Sequence, residues 1–80
     1  MDFDDKPWQR LKSLVKTCDF CPAQWDGQTE DGQEVYIRYR WGYLTVEVAG
    51  RVVYSASIGD GLDGGMNEET LRKLTGIRVV

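Results

Sequence analysis

The chain contains 80 residues, of which 41% are hydrophobic, and carries a formal net charge of -3. This length supports one modest core and none beyond it, so residues 1–80 are expected to form a single domain. No apolar run approaches the roughly 20 residues that a membrane span needs, and the acidic start MDFDDKPW differs from a signal peptide. We therefore expect a cytoplasmic protein with no membrane partner. The acidic balance argues against nonspecific nucleic-acid binding, which depends on clustered Lys and Arg.

The first predicted element is a short amphipathic helix from Pro7 to Thr17. Proline is favoured in the first turn of a helix, and Asp4 or Asp5 can cap it. Four apolar side chains then follow the helical spacing i, i+3, i+4 and i+7, and they are Leu11, Leu14, Val15 and Cys18.

Cys18 and Cys21 have the only spacing in the chain that suggests metal or redox chemistry. A structural zinc site needs four ligands, and the chain has no histidine and no third cysteine. A reactive thiolate is favoured at a helix N-terminus, whereas this pair follows the predicted helix. We interpret both as ordinary small side chains and predict no metal or other cofactor. A labile disulfide and a metal site shared between two chains are the alternatives.

Four antiparallel strands are predicted between Gln24 and Ile58, because alternating apolar runs are separated there by turns that contain glycine. A three-residue loop ending at Gly32 joins the first two strands, and a two-residue turn at Trp41-Gly42 joins the second to the third. These turns set two pairs of opposed inward residues, which are Trp25 with Ile37 and Tyr39 with Leu44.

For the third hairpin we predict a three-residue loop, Val48-Ala49-Gly50. This loop places Tyr54 opposite Leu44 and keeps the apolar faces in phase. A two-residue turn at Ala49-Gly50 would bring Val53 inward instead, so the longer loop is preferred.

The outward positions of this sheet and its central turn carry arginines and aromatic residues. One interpretation is a solvated face with cross-strand charge pairs. The second is a protein-binding surface, since such surfaces favour Trp, Tyr and Arg. The third is a surface that stacks the bases of single-stranded RNA. The candidate partner-binding residues here are Tyr36, Arg38, Arg40, Trp41 and Tyr43.

The segment after Ile58 is rich in glycine and matches G-x-G-x-x-G. A dinucleotide site would need a parallel βαβ unit, and Asp60 and Asp63 would repel a phosphate. We interpret the segment as a flexible acidic loop and add Asp60 and Asp63 to the candidate partner-binding residues.

A second helix is predicted after Asn67, which can cap it, and before Gly76, which can end it. Leu71 and Leu74 form its expected core side, and the residues after Gly76 are expected to add a short edge strand. The predicted fold is therefore α+β: a four-stranded antiparallel meander with an N-terminal and a C-terminal helix packed on one face.

Catalytic motifs are not recognisable in the sequence. The chain has no histidine, no nucleophile elbow, and no pair of carboxylates that the predicted fold brings into one pocket. We therefore predict that the protein is not an enzyme.

The segment CPAQWDGQTEDGQEVYIRYRWGYLTVEV resembles small proteins of phages and mobile elements. In size, acidity and lack of catalytic motifs, the whole chain resembles the anti-CRISPR class of inhibitors. The resemblance implies an inhibitor that binds a host nucleic-acid-handling complex, such as a CRISPR effector. It would cover a DNA site with acidic groups or block a protein surface through its Tyr, Arg and Trp residues. The alternative hypothesis is a module that binds single-stranded RNA.

Overall fold

The structure is a computed structural model that describes residues 6–18, 23–58 and 66–80. A short 3-10 turn, Pro7–Gln9, precedes the first strand. Six strands and one helix follow, in the order β1 Arg10–Cys18, β2 Ala23–Thr29, β3 Glu34–Arg40, β4 Tyr43–Val48, β5 Arg51–Ser57, α1 Glu68–Thr75 and β6 Arg78–Val79.

All six strands belong to one curled sheet in the order β5-β4-β3-β2-β1-β6. Neighbouring strands from β1 to β5 are antiparallel, whereas β6 pairs with β1 in parallel. The predicted fold of four antiparallel strands and two helices is therefore wrong. The sheet is larger and mixed, and the described part of the chain contains one α-helix.

The predicted N-terminal helix is strand β1. It pairs with β2 from Gln24 to Thr29 and covers the edge next to Trp25, which has no exposed surface.

The pairing has irregularities at Lys12 and Thr17, where one extra residue shifts the register. The first irregularity places Leu11 and Leu14, three residues apart, on the inner face, which imitates the start of a helical pattern. Val15, which was predicted to share that apolar side, is instead 61% exposed.

The centre of the sheet has the predicted registers. Trp25 lies opposite Ile37, and Tyr39 lies opposite Leu44. Gly32 has a φ of 90°, and the Thr29 amide donates to the carbonyl of Gln33, which closes the three-residue loop. These observations confirm the turns and the phase predicted for β2, β3 and β4.

The hairpin of β4 and β5 differs from its prediction. Val48 pairs directly with Arg51, so the turn is the two-residue Ala49-Gly50. Glu47 pairs with Val52 and Val46 pairs with Tyr54, so Val53 is an extra residue that forms a bulge. The predicted pairing of Tyr54 with Leu44 is therefore wrong, since Leu44 pairs with Ala56. The extra residue returns Tyr54 to the inner face without the longer loop.

Helix α1 packs on the inner face of the sheet. Asn67 caps it through a 2.8 Å bond from the Thr70 amide, and Gly76 ends it in the left-handed conformation, as predicted. Leu71 is fully buried, but Leu74 is 39% exposed, which corrects its assignment to the core side. Sheet, helix and C-terminal segment share one core, which includes Leu11, Trp25, Ile37, Leu44, Val46, Met66, Leu71 and Ile77.

Candidate functional site

The turn between β3 and β4 presents a tryptophan in a strained conformation. Trp41 and Gly42 both have positive φ, at 54° and 77°, which defines the tight turn whose twist suits a hairpin. Asn, Asp and Gly are favoured at such positions, whereas a bulky side chain costs about 1–2 kcal/mol. Trp41 is also 59% exposed. Neither local stability nor core packing accounts for a tryptophan at this position.

Arginine and tyrosine side chains surround Trp41. The Cζ of Arg40 lies 5.9 Å from the centroid of the Trp41 ring, within range of a cation–π interaction. Tyr43 pairs with Arg40 across the turn and is 48% exposed. Arg38 and Thr45 form the next outward pair of the two strands.

These side chains line a shallow depression of about 310 Å³ on the outer face. We call it the Trp41 patch, and its residues are Arg38, Arg40, Trp41, Tyr43 and Thr45. Four of the predicted partner-binding residues are therefore brought together by the hairpin. Thr45 is the addition, and strand alternation places it on the same face as Arg38.

Tyr36 lies apart from the patch. It is on the same outer face of β3, but its neighbours across the sheet are Asp26 on β2 and Glu47 on β4. The outer face is thus divided along the strands. The arginines and aromatic rings of the patch lie at the end near the turn, whereas Tyr36 lies among carboxylates at the opposite end, where Glu34 begins β3.

The patch has unused hydrogen-bonding and electrostatic capacity. Among the described residues, neither Arg38 nor Arg40 forms a salt bridge, and Nε of Arg38 is buried without a hydrogen-bond partner. A buried donor without a partner costs about 1–3 kcal/mol. Among the described residues that line the depression, none is a carboxylate. The arrangement suits a ligand that has an acceptor or negative charge beside an apolar group.

The remaining candidates lie elsewhere. Asp60, Asp63 and Cys21 fall outside the described residues. Cys18 is half-buried at the end of β1. Over 6–18, 23–58 and 66–80, no three His, Cys, Asp or Glu side chains come together as a metal site would require.

Helices long and apolar enough to cross a bilayer are absent from the described ranges. Comparison with known proteins found no matching family model, no matching curated protein and no matching solved structure. These comparisons therefore assign no family. The fold and the Trp41 patch define a small protein built on one mixed sheet, with an aromatic and basic surface at a hairpin turn.

Proposed function

We propose that this protein is a non-enzymatic inhibitor that binds another protein through the Trp41 patch. The observation that carries the proposal is the exposed Trp41 ring in the left-handed region of a tight turn. Backbone strain is common at functional sites, and here it holds a large aromatic ring in an exposed position. Trp, Tyr and Arg are the residues most enriched at the energetic centres of protein interfaces, and the patch groups all three.

The partner is proposed to be a nucleic-acid-handling host complex, as the resemblance to anti-CRISPR inhibitors implies. Of the two modes of inhibition, occupation of a protein surface fits the patch better. Arg38 and Arg40 are unsuited to a DNA-binding channel, which is itself positively charged. They are suited to an acidic and partly apolar surface on a subunit of the complex.

Single-stranded RNA is the second candidate ligand, because the described residues that line the depression include two arginines and two aromatic rings. Bases stack on such rings, and arginine neutralises phosphate. The surface that could do this is short, however. A strand that continued along β3 would meet Asp26, Glu34 and Glu47, and their charge would repel its phosphates.

An affinity pull-down from host lysate tests both proposals, with half of each sample treated with nuclease. Wild-type protein is compared with Trp41→Asn, which removes the ring and places a favoured residue in the turn. Val15→Asn is the matched control, because Val15 is 61% exposed on the outer side of β1, away from the patch.

The proposal expects a defined protein complex that survives nuclease, is retained by Val15→Asn and is lost with Trp41→Asn. Purified components should then bind with a shallow salt dependence. Recovery of RNA alone, with affinity that falls steeply with salt and is abolished by Arg38→Ala plus Arg40→Ala, would replace the inhibitor proposal with RNA binding. A protein complex that Trp41→Asn retains would show that the patch is not the contact surface.

A further inference from the structure

Strand β5 forms one edge of the sheet, and no described strand lies beyond it. The amide of Ile58 donates to the carbonyl of Gly42 over 2.8 Å, which identifies these two residues as a hydrogen-bonded pair. Because such pairs alternate in an antiparallel ladder, Ala56 and Tyr54 also bond toward β4. The amides and carbonyls of Ser55 and Ser57 therefore point away from the sheet.

This edge lacks the features that usually prevent strands from pairing. Exposed sheet edges are commonly protected by charged side chains, prolines or bulges. The residues from Val52 to Ile58 include neither a charge nor a proline. The bulge of β5 is confined to its beginning, at Val53, and the depression beside Pro7 and Trp8 borders that same half.

The second half of β5 is consequently regular and has small side chains, and no strand of the described ranges covers it. Ser55, Ala56 and Ser57 have short side chains that leave the main chain accessible, and Ile58 is 38% exposed beside them. A second strand can add to an exposed edge of this kind through main-chain hydrogen bonds.

We propose that this half of β5 pairs with the same strand of a second copy of the chain, antiparallel and across a two-fold axis at Ala56. Ser55 of each copy would exchange main-chain hydrogen bonds with Ser57 of the other, which gives four bonds. The two Ala56 residues would face each other at the closest point of the ladder, where a small side chain fits. Tyr54 of each copy would lie opposite Ile58 of the other, and this contact would cover part of the exposed surface of Ile58.

Charge favours a second copy as the occupant. Arg51 is the only charged residue of β5. In the antiparallel arrangement the two Arg51 side chains stand ten residues apart along the paired strands, or roughly 33 Å. The two Arg51 side chains therefore do not repel each other across the interface. In a two-fold dimer the same surface of each copy forms the contact, so strand β5 must fit against itself.

Sedimentation velocity over a range of protein concentrations up to about 1 mM tests this proposal. We expect a monomer–dimer equilibrium. Ser55→Pro removes two of the four intermolecular bonds and spares the bonds to β4, so it should weaken the dimer by about tenfold or more. Ser55→Ala keeps the amide and should leave the dimer unchanged.

Amide exchange of the wild-type protein gives a second measurement that does not depend on how the proline variant folds. The amides of Ser55 and Ser57 should gain protection as concentration rises, whereas that of Ile58, which bonds to Gly42, should be protected throughout. A protein that stays monomeric at all concentrations would overturn the proposal. So would a dimer in which neither serine amide gains protection.

Discussion

The side-chain amide of Gln9 lies against Gly76. Its Nε2 donates to the Thr75 carbonyl over 2.8 Å and stands 2.6 Å from the position that a Cβ on Gly76 would occupy. Its Oε1 accepts from the Lys6 amide over 2.6 Å. One side chain thereby joins the N-terminal turn to the end of α1, and the contact requires a residue without a Cβ at position 76.

Gly76→Ala should destabilise the protein through two separate effects. The left-handed φ of 78° costs about 1–2 kcal/mol for a residue with a Cβ. Displacing Gln9 from its hydrogen bonds should add about 1 kcal/mol. Gly32→Ala is the matched control, because Gly32 has a φ of 90° and open space around it. Urea unfolding should show a larger loss at position 76, and equal losses would mean that the Gln9 contact contributes nothing.

Gly27→Ala should disrupt the pairing of β1 with β2. A Cβ on Gly27 would lie 2.5 Å from the main-chain oxygen of Ser13, which cannot rotate away as a flexible side chain can. Forcing the strands apart should cost about 1–3 kcal/mol. The check is urea unfolding together with amide exchange of residues 10–18. Unchanged stability and protection there would contradict the close approach of these strands.

Lys16→Met should destabilise the protein by about 1–2 kcal/mol. Nζ of Lys16 donates to the Met66 carbonyl over 2.7 Å and lies 5.2 Å from the centroid of the Trp25 ring. Methionine keeps most of the apolar stem but loses the charged donor and the cation–π interaction. Lys12→Met, at an exposed position of the same strand, should change stability by less than about 0.5 kcal/mol. A similar effect of both substitutions in thermal unfolding would show that the Lys16 contacts are not stabilising.

Two turns of the sheet hold a residue other than glycine at positive φ, and relieving the backbone strain should have a different outcome in each turn. Ala49 has a φ of 52° and is exposed, so Ala49→Asn should raise the free energy of unfolding by about 1 kcal/mol without affecting binding.

Trp41→Asn should leave the free energy of unfolding unchanged or raise it by up to about 1 kcal/mol, because the lost cation–π contact offsets part of the gain. Chemical unfolding of both variants beside the pull-down separates the effects. A marked loss of stability in Trp41→Asn would mean that the tryptophan is structural.

The centre of the sheet follows from local features of the sequence. Alternation set the inward residues of β2, β3 and β4, and the positions of Gly32 and Gly42 set their turns. These features depend on neighbouring residues and on one pair of strands at a time, so the registers of Trp25 with Ile37 and Tyr39 with Leu44 could be predicted. The cap at Asn67 and the end of α1 at Gly76 are local in the same way.

The candidate site was predictable to the same extent. Arg38, Arg40 and Tyr43 follow from strand alternation around a two-residue turn, and that turn carries Trp41. The depression that joins them to Thr45, and the burial of the Arg38 Nε atom, depend on how the side chains pack together. Sequence patterns contain no such information.

The edges of the sheet depend on long-range pairing, which local sequence patterns do not reveal. Residues 10–18 have apolar spacing that fits a helix, but pairing with β2 shields the edge beside Trp25, and bulges at Lys12 and Thr17 absorb the mismatch. Another bulge at Val53 allows a shorter turn than the pattern favours. A bulge changes which residues of a strand face inward, and its free-energy cost depends on the strand with which the bulged strand pairs. Sequence periodicity assumes a constant phase, and it therefore misplaces a strand where long-range pairing inserts an extra residue.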